Sequence, residues 1–215
     1  MERVTFTTSD NIAIVGDYWS GSLARGVLLL HMMPADRTSW RGLAPIIADK
    51  GFHVLAIDLR GHGESEGGPF GHKEFVDEDH QQSIMDVDAS AAFFEERGVA
   101  HEGLAIIGAS IGANLGLWYA AERHDISTIV LLSAGFNYKG IKAEEYMSQL
   151  GSGQRVLLAS SEDDEGNAEM NKQLAQRADG CASLKTIIYQ EAGHGTDMFG
   201  KEEPDLQTEI IAWLR

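Results

Sequence analysis

The stretch Leu104-Ala105-Ile106-Ile107-Gly108-Ala109-Ser110-Ile111-Gly112 decides how the rest of the chain is read. Four consecutive apolar residues predict a strand, and Gly-x-Ser-x-Gly directly after them predicts a sharp turn into a helix. In such a turn the serine takes a strained backbone position that lifts its hydroxyl off the strand end. The flanking positions are too crowded for a bulky Cβ branch, which accounts for Gly108 and Gly112. Ser110 is therefore the candidate nucleophile. Glycine-rich strand-to-helix turns are common, so the weight of this assignment comes from what surrounds it.

Around it, short apolar runs alternate with longer helical patterns, the signature of a parallel sheet flanked by helices. Val4 to Phe6 and Ile12 to Tyr18 read as an opening hairpin turned at Ser9-Asp10-Asn11. Strand-like runs follow at 26–31, 53–59, 104–108, 127–132, 155–159 and 184–189, making about eight strands. Trp40, Leu43 and Ile47 fall at helical spacing, as do Ile84, Val87, Ala91 and Phe94. A last helix carries Leu206, Ile210 and Trp213, with Pro204 predicted in its first turn, where a missing N–H costs nothing. In the helix after Ser110, Gly112, Gly116 and Ala120 share one face and predict close packing. Two glycine-rich stretches, Gly61 to Gly71 and Gly135 to Gly153, are candidate rims of a cleft, and neither is long enough for a separate lid.

The 215 residues are read as a single domain, 1–215, with a full hydrophobic core. With 43% apolar and 23% charged residues, the composition excludes disordered and fibrous classes. A net charge of −16 disfavours nucleic acid and anionic membrane surfaces as partners. Cys181 is the only cysteine, so neither an internal disulfide nor a cysteine-based zinc site can form. No apolar stretch approaches the length of a membrane span or a signal segment, and a cytoplasmic location is the expectation.

In open α/β sheets ligands bind beyond the carboxyl ends of the strands. Three such positions carry chemistry: Ser110, the carboxylates of Ser160-Ser161-Glu162-Asp163-Asp164, and His194 between Gly193 and Gly195. A serine hydroxyl is a poor nucleophile until a neutral imidazole takes its proton, and the imidazole needs a carboxylate to fix its tautomer. The chain supplies nucleophile, acid and base in that order. A developing oxyanion needs preorganised donors, and the backbone N–H of Ile111, at a helix N-terminus, is one.

At this point the chain resembles the α/β-hydrolase superfamily over nearly its whole length. The resemblance rests on His31-Met32-Met33-Pro34, on Asp58-Leu59-Arg60-Gly61-His62-Gly63-Glu64-Ser65, on the Ser110 turn, and on the Asp164 and His194 loops. Small, lidless serine carboxylesterases and dienelactone-hydrolase-like proteins are the most similar members. The resemblance implies an α/β-hydrolase fold, an about eight-stranded, mostly parallel sheet flanked by helices with no separate lid domain. It also implies cleavage of a small-molecule carboxylic ester, of short acyl chain, through an acyl-enzyme with no cofactor and no metal. The triad would be Ser110, Asp164 and His194, and the second oxyanion donor the Met33 N–H.

Three departures qualify this. Met32 stands where the family usually has glycine, and Pro34 cannot donate an N–H and biases Met33 toward an extended conformation. Ser161 replaces a usual glycine, leaving Asp163 as an alternative to Asp164, although the family spacing selects Asp164. Dienelactone hydrolases proper place cysteine at the turn, where this chain has Ser110.

Thioesterase, lysophospholipase and peptidase chemistry use the same triad, and a noncatalytic ligand receptor can share the fold. Epoxide hydrolase and haloalkane dehalogenase chemistry need an aspartate where Ser110 stands. His31, His62, Asp58 and Arg60 are read as loop-bracing residues. His72 to His80, with Glu74, Asp77, Glu78 and Asp79, is read as a solvated, acidic helix start rather than a metal site.

Overall fold

The computed structural model describes residues 1–215. In chain order the elements are β1 Glu2–Thr7, β2 Ala13–Trp19, β3 Gly26–Leu30, α1 Ala44–Ala48, β4 His53–Ile57, α2 Asp77–Gln81 and α3 Ile84–Glu95. Then come β5 Leu104–Ala109, α4 Ile111–Glu122, β6 Thr128–Leu132, β7 Asn137–Tyr138, β8 Ile141–Lys142 and α5 Ala143–Met147. The chain closes with β9 Arg155–Ser161, α6 Asn167–Gln176, β10 Ser183–Tyr189 and α7 Leu206–Trp213.

Eight strands form one sheet in the order β1-β2-β4-β3-β5-β6-β9-β10, and β7 pairs only with β8. The pairs β1 with β2 and β2 with β4 are antiparallel, and the rest of the large sheet is parallel. The central strands read as unbroken apolar runs because helices cover both faces. Leu28, Leu30 and Ile106 point into one core, while Val27, Leu29 and Ile107 point into the other. Strand β1 is an edge with only Val4 buried, and it carries Glu2 and Arg3, which discourage pairing with another chain.

Helix α4 lies close to this sheet because its inner face has no side chains to hold it away. A Cβ at Gly112 would sit 2.4 Å from the Leu30 carbonyl oxygen, and one at Gly116 would sit 2.7 Å from Ile106 Cγ2. The contact seats the helix start directly behind the end of β3.

Local chemistry redirects several predicted helices. Trp40, Leu43 and Ile47 do not share one helix: a 3-10 turn at Arg37–Trp40 ends before α1 begins. Pro45, in the first turn of α1, has no N–H and its ring excludes a helical carbonyl four residues earlier. Pro204 lies outside α7, because the Asp205 carboxylate caps that helix by accepting the Thr208 N–H at 3.0 Å. The hairpin β7–β8 went unpredicted, since strands of two residues carry no period.

Two ion networks pin the loops after β3 and β4. Arg37 pairs with Asp58 and, at 2.9 Å, with Glu64, while its own N–H meets Asp58 Oδ1 at 2.8 Å. Arg60 binds Asp86 Oδ1 at 2.8 Å and Asp10 Oδ2 at 2.7 Å. Asp58 and Asp86 are fully buried, so losing either guanidinium would leave an uncompensated charge at a cost of about 3–5 kcal/mol. No helix is long and apolar enough to cross a membrane.

Candidate active site

Four loops converge beyond the carboxyl ends of β3, β5, β9 and β10. At the end of β5, Ser110 takes φ 55° and ψ −119°, a region that costs a non-glycine residue on the order of 1–3 kcal/mol. The surroundings enforce it. The Ser110 N–H bonds the Leu132 carbonyl at 2.8 Å, and its own carbonyl accepts the Ala113 N–H at 2.9 Å. A Cβ at Gly108 would fall 2.2 Å from the Gly112 carbonyl oxygen, so this turn closes only with glycine there. Ile111, the first residue of α4, contributes one of the backbone N–H groups that a helix start leaves unpaired.

Across β5 from the sheet's β6 side, the loop after β3 presents Met33, whose N–H makes no hydrogen bond within the chain. Its direction follows from His31. His31 Nε2 lies 3.0 Å from the Leu59 N–H and must accept, so Nδ1 carries the proton and donates to the Met32 carbonyl at 2.9 Å. In a trans peptide the N–H opposes the carbonyl, so holding the Met32 oxygen toward His31 turns the Met33 N–H away from it.

The acid loop separates its two carboxylates. Asp164 Oδ2 lies 2.6 Å from His194 Nδ1. Asp163 faces elsewhere, accepting the Ser161 hydroxyl and, at 3.1 Å, the Gly193 N–H. The Ser161 hydroxyl, then the Gly193 N–H, hold the Asp163 carboxyl below the usual range. Ser161 Oγ also accepts the Ala192 N–H at 2.9 Å, so the serine that replaces a glycine ties the acid loop to the histidine loop.

His194 is brought over the turn by its neighbour. The Gly195 N–H donates to Ser133 Oγ at 2.9 Å, and a Cβ at Gly195 would lie 2.6 Å from Met32 Sδ and 3.3 Å from Ala109 Cβ. The residue after His194 thus lies against the residue before Ser110. Met32 forms part of the wall here.

The segment after β6, expected only as a rim of the cleft, also carries polar groups that no motif announces. Asn114, buried in α4, donates to the Gly135 and Ile141 carbonyls, both at 2.8 Å. Asn167 and Asn171 of α6 donate to the Ala134 carbonyl at 3.0 and 2.8 Å. These amides hold the hairpin β7–β8 and Tyr138, whose hydroxyl donates to the Ser133 carbonyl at 3.3 Å. Polar residues inside apolar helical runs were the available signal. Within the expected rim Gly135 to Gly153, Ile141, Met147 and Leu150 are instead buried in the core beneath α4.

The histidines past β4 also correct an expectation: His72 and His80 are buried rather than solvated. The His31 ring meets His62 edge-on and His62 stacks on His72, with centroids 4.9 and 4.1 Å apart, and burial pushes His62 down to about 3. No group of three His, Cys, Asp or Glu side chains is arranged to hold a metal ion. The four surface depressions, of about 180 to 330 Å³, are lined by residues other than Ser110, Asp164 and His194.

A sequence profile of the alpha/beta hydrolase fold matches residues 26–139, from β3 through β7. The chain belongs to the α/β-hydrolase fold family. Among curated relatives, an AB hydrolase superfamily protein of Gibberella zeae is 29% identical over 111 residues, 52% of this chain and 35% of that protein. The chain spans under half the length of the curated relatives it matches. Solved structures are similar over the whole chain. An esterase of Pyrococcus furiosus superposes with a TM-score of 0.82 at 17% identity, covering 99% of this chain and 91% of that one. A dienelactone hydrolase of Anabaena variabilis gives 0.72 at 18% identity, covering 98% and 93%. At such identities these structures speak to the fold, and this α/β-hydrolase chain's chemistry must be argued from its own residues.

Proposed function

We propose that the protein is a serine hydrolase that cleaves small carboxylic esters through an acyl-enzyme. The observation that carries this is the strained Ser110 turn, against which the His194 loop packs through Gly195 and Ala109, with His194 Nδ1 held by Asp164 at 2.6 Å. Ser110 Oγ attacks the ester carbonyl and His194 Nε2 takes its proton. Asp164 fixes the tautomer that leaves Nε2 free to accept, and stabilises the imidazolium. The Met33 and Ile111 N–H groups receive the oxyanion. Collapse of the tetrahedral intermediate breaks the bond to the leaving oxygen, which takes the proton from His194. Water, deprotonated by His194, then releases the acid and restores Ser110.

Small substrates fit this reading best. An acyl chain gains about 0.8 kcal/mol per buried CH₂, and none of the surface depressions that could bury a long chain borders Ser110. The experiment is fluorophosphonate labelling of one aliquot and turnover of p-nitrophenyl acetate by a second, unlabelled aliquot. Stoichiometric labelling at Ser110 together with turnover by the unlabelled protein supports the proposal. Labelling without turnover by the unlabelled protein points to a ligand receptor on the same fold.

A further inference from the structure

Tyr138 stands at the reacting centre and has no part in the mechanism just described. Its hydroxyl donates to the Ser133 carbonyl at 3.3 Å and is approached by Asn167 Nδ2 at 3.5 Å; Ser133 follows Leu132, whose carbonyl holds the Ser110 N–H, so the phenol lies on the Ser110 side of the sheet end. Burial, and then the Asp164 carboxylate, push its phenol above the ordinary value, so it is a neutral hydroxyl at neutral pH and able to donate. Its place is built. The ring leaves no room for a Cβ at Gly135, which would lie 2.5 Å from Tyr138 Cζ, and three buried asparagines hold the backbone on either side.

The side of the turn on which Tyr138 sits decides what it can reach. Met33 comes from β3, on one side of β5, whereas Tyr138 follows β6 on the other. Ser133 couples it to the base: its hydroxyl holds the Gly195 N–H, next to His194, and its carbonyl faces the Tyr138 hydroxyl. Tyr138 is therefore on the histidine's side of the scissile carbon, away from the Met33 donor. That is where the leaving oxygen must lie to collect a proton from His194.

We propose that Tyr138 is a further catalytic residue, donating a hydrogen bond to the leaving-group oxygen as its bond to carbon breaks. This rests on the serine-hydrolase reading above. In the resting protein the phenol donates to the Ser133 carbonyl, and it turns this hydrogen bond to the leaving oxygen as charge builds there. During acylation the Ser110 Oγ–carbon bond forms, and the serine proton passes through His194 Nε2 to the leaving oxygen, which departs as an alcohol. Tyr138 keeps its own proton throughout. Its hydrogen bond strengthens as negative charge builds on that oxygen, so it counts most when the leaving alcohol is a poor one.

The test is Tyr138→Phe against acetate esters of alcohols running from p-nitrophenol to ethanol, compared with the parent protein. The expected result is a loss of kcat/KM of about tenfold or more for the alkyl esters, shrinking to a few-fold at most for the p-nitrophenyl ester. Equal loss along the series, or none, overturns the proposal. A merely structural role would lower all the esters alike. Should Tyr138→Phe melt early, a fluorotyrosine placed at 138 alone keeps the shape and strengthens the donor. It is then expected to raise the alkyl-ester rate selectively, and an unchanged profile overturns the proposal. Fluorophosphonate labelling of Ser110 in the same samples separates the two failures: labelling with a flat profile defeats only the Tyr138 role, and no labelling defeats the serine mechanism itself.

Discussion

The Ser133 hydroxyl accepts the Gly195 N–H at 2.9 Å, so the end of β6 holds the segment that carries His194. Ser133 belongs to no motif, and in the sequence Gly195 reads only as a glycine flanking His194. Removing the acceptor leaves a buried N–H unpaired, which costs roughly 1–3 kcal/mol. Ser133→Ala is predicted to lower kcat by about tenfold with KM little changed, because the base is displaced while the substrate surface is kept. Steady-state kinetics and a melting curve together check this.

Asp164 and Asp163 are adjacent in sequence and different in partners, so they should separate in function. Asp164→Asn is predicted to cost on the order of 10³–10⁴ in kcat by taking the acceptor from His194 Nδ1. Asp163→Asn should stay within a few-fold, since that carboxylate serves Ser161 and Gly193. The opposite order would move the acid by one residue.

Much of the fold was legible because the parallel strands are covered on both faces, which writes them as continuous apolar runs such as Leu104 to Ile107. Ser110, Asp164 and His194 could be named because each follows such a run at a turn with its own residue signature. Tyr138, Ser133 and the asparagines 114, 167 and 171 could not, since their roles come from hydrogen bonds between segments that are distant in the chain. The same holds for the imidazole stack: spacing gave no sign that His72 would lie against His62, because the Gly61 to Gly71 loop folds back in a way no period encodes.

That stack sets a pH limit on stability. Burial, above all, lowers His31, His62 and His80, and His62 is further opposed by the neighbouring His31 and His72. Asp58 and Asp36 act the other way on His31. A folded value below the unfolded one means that the unfolded chain binds the proton first. The stabilisation is therefore complete above the ordinary imidazole value of about 6.5 and is lost as pH falls toward about 3. Urea midpoints should drop between pH 7.5 and pH 5. His62→Phe, which keeps the stacked shape, should flatten that dependence, and an unchanged slope would remove His62 as its source.

Acyl preference follows from the surface depressions all lying away from Ser110. Across p-nitrophenyl esters, kcat/KM is predicted to peak at short chains, roughly two to six carbons, since each added CH₂ finds no apolar wall to bury it. A rise continuing through ten carbons would show that a groove beside Phe136 and Tyr146 takes the chain.

The most direct test of the central claim is the turnover of p-nitrophenyl acetate by Ser110→Ala. The strained turn is held by Gly108, Gly112 and the backbone, so the variant should fold and melt close to the parent. Its kcat should fall by roughly 10⁴-fold or more, because the attacking oxygen is gone. A folded Ser110→Ala that keeps more than about a tenth of the parent rate would contradict the serine mechanism outright.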